Sequence, residues 1–126
     1  MSTAIDHYKQ GLALYGGQKN EEAAAEFTKA LELKPDWLDA LHALATVLSK
    51  LGKQDEALAM IARVIELDPE DPFAYTSQSI FLQRKGLVPE AEAASAKARM
   101  AAWKKELKTN PKAPPPADAG GMSVVQ

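Results

Sequence analysis

The sequence contains no cysteine. Disulfides, thiolate nucleophiles and thiolate-held zinc are therefore excluded. Histidine occurs only at His7 and His42, and no metal site is expected. No glycine-rich loop follows a strand pattern, so no phosphate cradle is expected. Long apolar runs are missing as well: no stretch approaches the roughly 18 consecutive apolar residues of a membrane helix, and Met1–Gln10 lacks the apolar segment of a secretory signal. A cytoplasmic location is the expectation. Excess positive charge is also lacking. Residues 1–103 carry 11 Lys and Arg against 15 Asp and Glu, while residues 104–126 carry Lys104, Lys105, Lys108 and Lys112 against Glu106 and Asp118. An acidic body with a short basic end suits neither phosphate backbones nor anionic lipid, so neither nucleic acid nor membrane is expected as a partner.

Alanine and leucine are abundant, and β-branched residues are few. These residues lose little rotamer freedom in a helix, so the composition favours helix over strand. Leu38, Leu41, Leu44, Ala45 and Leu48 recur at three- and four-residue steps, as do Ala57, Leu58, Ile61, Val64 and Ile65. Each set makes an apolar stripe along one helix face. The expected helices cover about 4–16, 20–33, 37–50, 54–67, 72–85 and 89–108. Thr3 with Asp6 makes a capping-box pattern with Asp in place of Glu. Asp71-Pro72 reads as an N-cap followed by proline at the first helical position. Gly52 and Gly86 suit left-handed C-caps; Gly16-Gly17 falls one residue off that register, so the first turn is expected to differ.

The chain repeats itself every 34 residues. Pro35 and Pro69 are that far apart, as are Gly52 and Gly86. Ahead of the prolines stand Ala23 and Ala57, Phe27 and Ile61, and Ala30 and Val64; Ala91, Ser95 and Ala98 continue the series. These residues resemble the tetratricopeptide repeat, whose pattern places small residues at its eighth, twentieth and twenty-seventh positions, a large apolar residue at its twenty-fourth and proline at its thirty-second. Repeat one (about 4–37) supplies Gly11, Ala23, Phe27, Ala30 and Pro35. Repeat two (38–71) supplies Ala45, Ala57, Ile61, Val64 and Pro69. Repeat three (72–105) supplies Ser79, Ala91 and Ala98, but departs at Ser95 and at Trp103, where proline is expected.

The resemblance implies an all-α fold: a TPR α-solenoid of three helix-turn-helix repeats. With Trp103 in place of proline, the last helix can run on through Met100, Trp103 and Leu107 as an extended C-terminal capping helix, which an array needs over its last core. The domain is expected to occupy 1–108. Residues 109–126, with Pro114, Pro115, Pro116 and Gly120-Gly121, read as a flexible tail. Its tip, Met122–Gln126, reads as a frayed terminus, a short docking peptide, or a plug for the chain's own groove.

In this family the first helices of successive repeats line a concave surface that binds polypeptide. The resemblance assigns that groove to Ile5, Tyr8, Lys9, Leu12 and Tyr15 from repeat one. Asp39, His42, Ala43, Thr46 and Lys50 come from repeat two, and Phe73, Thr76, Ser77, Ile80, Gln83 and Arg84 from repeat three. One branch of the family clamps the terminal carboxylates of chaperones with lysine, asparagine and arginine. The matching positions hold Tyr8, Leu12, Ala43, Phe73 and Ser77, so that mode is not expected. The acidic residues at helix starts, such as Glu21-Glu22 and Asp55-Glu56, complement helix dipoles. No catalytic residue and no cofactor is expected. The function expected is a non-catalytic adaptor binding an apolar peptide or helix. Self-association into a structural assembly, or service as an accessory subunit of a larger enzyme complex, are the alternatives.

Overall fold

The computed structural model describes residues 2–117; the expected tip peptide, Met122–Gln126, lies outside them. Six helices are arranged in order: α1 Ala4–Gly16, α2 Asn20–Leu33, α3 Leu38–Lys50, α4 Gln54–Leu67, α5 Pro72–Arg84 and α6 Val88–Thr109. There is no strand among the described residues. The helices fall into two compact units, Met1–Leu67 with α1–α4 and Asp68–Gln126 with α5–α6.

Helix starts obey local chemistry. Thr3 Oγ1 accepts the Asp6 amide while Asp6 accepts the Thr3 amide, closing the capping box. That exchange holds the Asp6 carboxyl below the usual range, first through the Thr3 backbone amide and then through its side chain. Asp71 caps α5 by accepting the Phe73 amide at 2.9 Å, and Pro72 opens the helix.

All three turns within repeats share one backbone geometry. The amides of Lys19, Lys53 and Leu87 reach back to the carbonyls of Leu14, Leu48 and Leu82 at 2.8, 2.9 and 3.0 Å. Such a bond, spanning a left-handed residue, is the Schellman closure. Gly52 (φ 82°) and Gly86 (φ 81°) occupy the left-handed position in the second and third turns. The expectation of a different first turn is therefore corrected. The turn is the same, and Gln18 (φ 62°) takes the left-handed position, while Gly17 is an ordinary C-cap residue at φ −87°. A side chain in this region costs about 1–2 kcal/mol. Gln18→Gly is expected to stabilise the chain by about 0.5–1 kcal/mol, read as a higher urea midpoint at unchanged slope.

In the first unit, the core runs through Ala23, Phe27, Ala30, Ala40, Ala45, Val47, Ala57, Ile61 and Val64, all essentially without solvent exposure. In repeat one the eighth-position residue meets the twenty-fourth. Gly11 has no side chain because the Phe27 ring fills its space: a Cβ there would stand 2.5 Å from Phe27 Cε1. In the second unit, α6 presents Ala91, Ala94, Ala98 and Ala101 as its buried face, and α5 presents Ala74 and Phe81. Ser79 donates to the Ala91 carbonyl at 2.7 Å, tying the two helices.

α6 runs to Thr109, past the position of the repeat proline. The chain does not become a free tail at residue 109. Asn110 turns it, with the Ala113 amide donating to the Asn110 carbonyl at 3.0 Å. The Trp103 indole N–H then donates to the Ala113 carbonyl at 3.0 Å, and Ala113 is buried.

Candidate functional site

On α1, residues 5, 8, 12 and 15 are spaced at i, i+3, i+7 and i+10, so they share one face. Ile5 is 49% exposed and Leu12 43%, while Tyr8 and Tyr15 are half-buried. Two contacts bring α3 alongside. The Tyr8 ring lies 4.7 Å from the Trp37 ring at the start of α3, and Lys50 at the end of α3 sits 5.8 Å from the centre of the Tyr15 ring. Early contacts early and late contacts late, so α1 and α3 run in the same direction.

Tyr8 also packs inward, on α2. Its ring tilts at 49° against Phe27 of α2, centroids 5.8 Å apart. Such tilted aromatic pairs add about 0.5–1.5 kcal/mol beyond area burial. Burial, and then the charge of Asp39, push the Tyr8 phenol above its ordinary value. Trp37 completes this cluster, with Lys34 Nζ 4.9 Å from its ring centre. Neither Trp37 nor Lys34 is among the residues picked from the sequence. Trp37 lies in the turn ahead of α3, where no helical period marks it; the available signal was a large aromatic two residues after the repeat proline. Lys34 to Asp39 also line an open depression of about 650 Å³.

Lys9 and Lys50 are exposed, and His42, Ala43 and Thr46 are half-buried. Thr46 Oγ1 donates to the His42 carbonyl at 3.0 Å, and its oxygen keeps acceptor capacity. His7 lies off this face. Its Nδ1 is 2.8 Å from Glu26 Oε1, pinning α1 to α2. The hydrogen bond from His7, then that from Lys29, holds the Glu26 carboxyl below the usual carboxylate range.

The repeat-three residues belong to the second unit. Phe73 is 73% exposed and Ile80 42%. Thr76, Gln83 and Arg84 are exposed and Ser77 half-buried. Phe73 and Thr76 line a cleft of about 320 Å³ with Ser95, Ala98, Arg99 and Ala102 of α6. Ser95 stands where Phe27 and Ile61 fill the first two repeats, and Arg99 Nη1 donates to its hydroxyl at 2.8 Å. The structure thus brings Tyr8, Tyr15, Asp39 and Lys50 together in one unit, and Phe73 and Thr76 against α6 in the other.

Among the described residues no three acidic or histidine side chains converge to hold a metal ion, and no helix is long and apolar enough to cross a membrane.

A model of the tetratricopeptide repeat matches residues 14–77 of the chain. The DnaJ homolog subfamily C member 3 of Rattus norvegicus is 31% identical over 105 residues, 83% of this chain but 19% of its own length. The chain thus spans about a fifth of that relative. Among solved structures, the crystal structure of MamA superposes with a TM-score of 0.78 at 27% identity, covering 82% of this chain and 61% of that one. YrrB, described as a TPR protein with an unusual peptide-binding site, superposes at 0.75 with 23% identity, covering 89% and 54%.

Proposed function

The chain belongs to the tetratricopeptide-repeat family, and from that premise we propose that it is a non-catalytic adaptor whose first binding surface is the α1–α3 face. Its ligand is an apolar peptide or amphipathic helix of another protein. The observation that carries this reading is the stripe Ile5, Tyr8, Leu12 and Tyr15. Ile5 and Leu12 are left largely exposed, although Ala4 and Gly11 of the same helix are buried. Exposed apolar side chains grouped on one face mark interaction surfaces, and aromatic anchors concentrate binding energy there. YrrB, which superposes on this chain, is described as having a peptide-binding site, which supports a peptide as the class of ligand.

The polar groups give the ligand a direction. Asp39 sits beside Tyr8 at one end and Lys50 beside Tyr15 at the other. A ligand with a basic residue toward Asp39 and an acidic one toward Lys50 fits best. Carboxylate clamping of a chaperone tail does not fit, because Tyr8, Leu12 and Ala43 offer no cationic donor.

The test compares two tagged baits in a lysate of the source organism. Ile5→Asp with Leu12→Asp changes only exposed positions, so helicity is expected to be kept. Proteins held through the stripe should fall at least about tenfold with the variant. A retained set unchanged by the variant would remove the α1–α3 face from the proposal.

A further inference from the structure

The burial of residues 113–116 has a pattern. Ala113 is buried, Pro114 and Pro115 are exposed, and Pro116 is half-buried. A polyproline II segment has three residues per turn, so residues three apart share an edge. Three consecutive prolines, each with φ fixed near −65°, favour that conformation, and the segment has no helix, strand or turn of its own. Its inner edge is therefore Ala113 and Pro116.

The receiving chemistry is complementary. Proline has no N–H, so such a segment presents carbonyl acceptors and apolar rings. An indole offers a flat apolar face and a single donor. Trp103 Nε1 donates to the Ala113 carbonyl at 3.0 Å. Leu107, four residues on, shares the Trp103 face of α6 and is likewise half-buried. Asn110 fixes the turn that returns the segment: its side-chain oxygen accepts the Lys112 amide and its carbonyl accepts the Ala113 amide.

We propose that the Trp103 face of α6 is a binding site for extended proline-rich segments, occupied in the resting chain by its own residues 113–116. The preferred ligand carries a small residue followed three positions later by proline, the spacing of Ala113 and Pro116. The site lies wholly in the second unit and does not depend on the α1–α3 reading. Ala113 lies ten residues beyond Trp103 in the same chain, so the cis segment competes with a partner segment as an intramolecular ligand. One hydrogen bond and one buried alanine hold the closed state only about tenfold over the open one. A partner segment therefore meets a site weakened about tenfold rather than shut.

The experiment uses the full chain. Ala113→Glu with Pro116→Ser opens the site, and the probe is the acetylated, amidated peptide Lys-Ala-Pro-Pro-Pro-Ala, the chain's own 112–117. The readout is the Trp103 indole N–H resonance, identified by its loss in Trp103→Phe. In the opened variant the peptide should move that resonance saturably, with affinity about tenfold tighter than for the unmodified chain. A peptide with serine in place of the prolines should bind at least about fivefold more weakly. No movement in an opened variant of unchanged helicity, or equal binding of the serine peptide, overturns the proposal. A second measurement needs no variant. In the unmodified chain the Trp103 indole N–H should exchange with heavy water at least about fivefold more slowly than that of free tryptophan; exchange at the free rate overturns the proposal even if the opened variant fails to fold.

Discussion

Phe27→Ala is expected to lower stability by about 3–5 kcal/mol, the range for removing a fully buried aromatic. Phe27 has no solvent exposure, packs against Tyr8, and fills the space where Gly11 lacks a side chain. The same geometry makes a sharper statement about the pair. Gly11→Ala would set a methyl 2.5 Å from Phe27 Cε1, and overpacking of that kind costs about 1–3 kcal/mol. It more than offsets the gain of up to about 1 kcal/mol from replacing a helical glycine. Repeat two shows the alternative solution at the equivalent positions, Ala45 with Ile61, both buried without exposure. In a Phe27→Ile background, Gly11→Ala should therefore be neutral or stabilising. A double-mutant cycle in urea is expected to give a coupling of about 1 kcal/mol or more. Additive single effects would mean that the ring can swing aside and that the glycine is not set by it.

The periodic part of this architecture was legible because it depends on short-range rules. Apolar stripes, the Thr3 and Asp71 caps, the glycines at 52 and 86 and the 34-residue spacing each act locally or repeat a local unit. They place all six helices within a residue or so of where the structure has them. What escaped depends on contacts across elements. A helical period says which face Tyr8 occupies, but not that Trp37, from a turn, reaches back to cover it. The glycine pair at 16–17 drew attention from Gln18, because composition does not reveal that the turn closure outweighs the strain of one left-handed residue. Register alone assigns Phe73 and Thr76 to the concave face. That register does not show the cleft they line with α6, beside Ser95, which stands where Phe27 and Ile61 fill the first two repeats. The proline-rich stretch reads as a linker by composition, since it has little to bury. One indole donor ten residues upstream is enough to hold its first part.

Trp37→Ala is expected to cost about 2–4 kcal/mol, somewhat less than a fully buried aromatic because Trp37 is half-exposed. Its ring is the piece by which the start of α3 meets α1, through Tyr8, and Tyr8 in turn touches Phe27 of α2. Losing it loosens the alignment of the two helices that carry the proposed binding face, so ligand binding there should weaken along with stability. The phenol of Tyr8 supplies an independent readout. Burial first, then Asp39, raise its pKa above the ordinary value of 10.0. A raised folded-state value means that the neutral phenol is favoured by the fold. Its contribution is complete below about pH 10 and is lost as the pH climbs through the folded-state value. In Trp37→Ala the ring meets water, so Tyr8 should titrate lower and the alkaline loss of stability should shrink. Asp39→Asn should lower it too, but by less, since the charge is the smaller cause. Phenolate absorbance, taken as a difference from Tyr8→Phe to remove Tyr15 and Tyr75, reads both shifts. An unchanged Tyr8 titration in Trp37→Ala would mean that Phe27 alone buries the phenol. Trp37 would then be a surface residue of the 34–39 turn, not the link between the first helices of successive repeats.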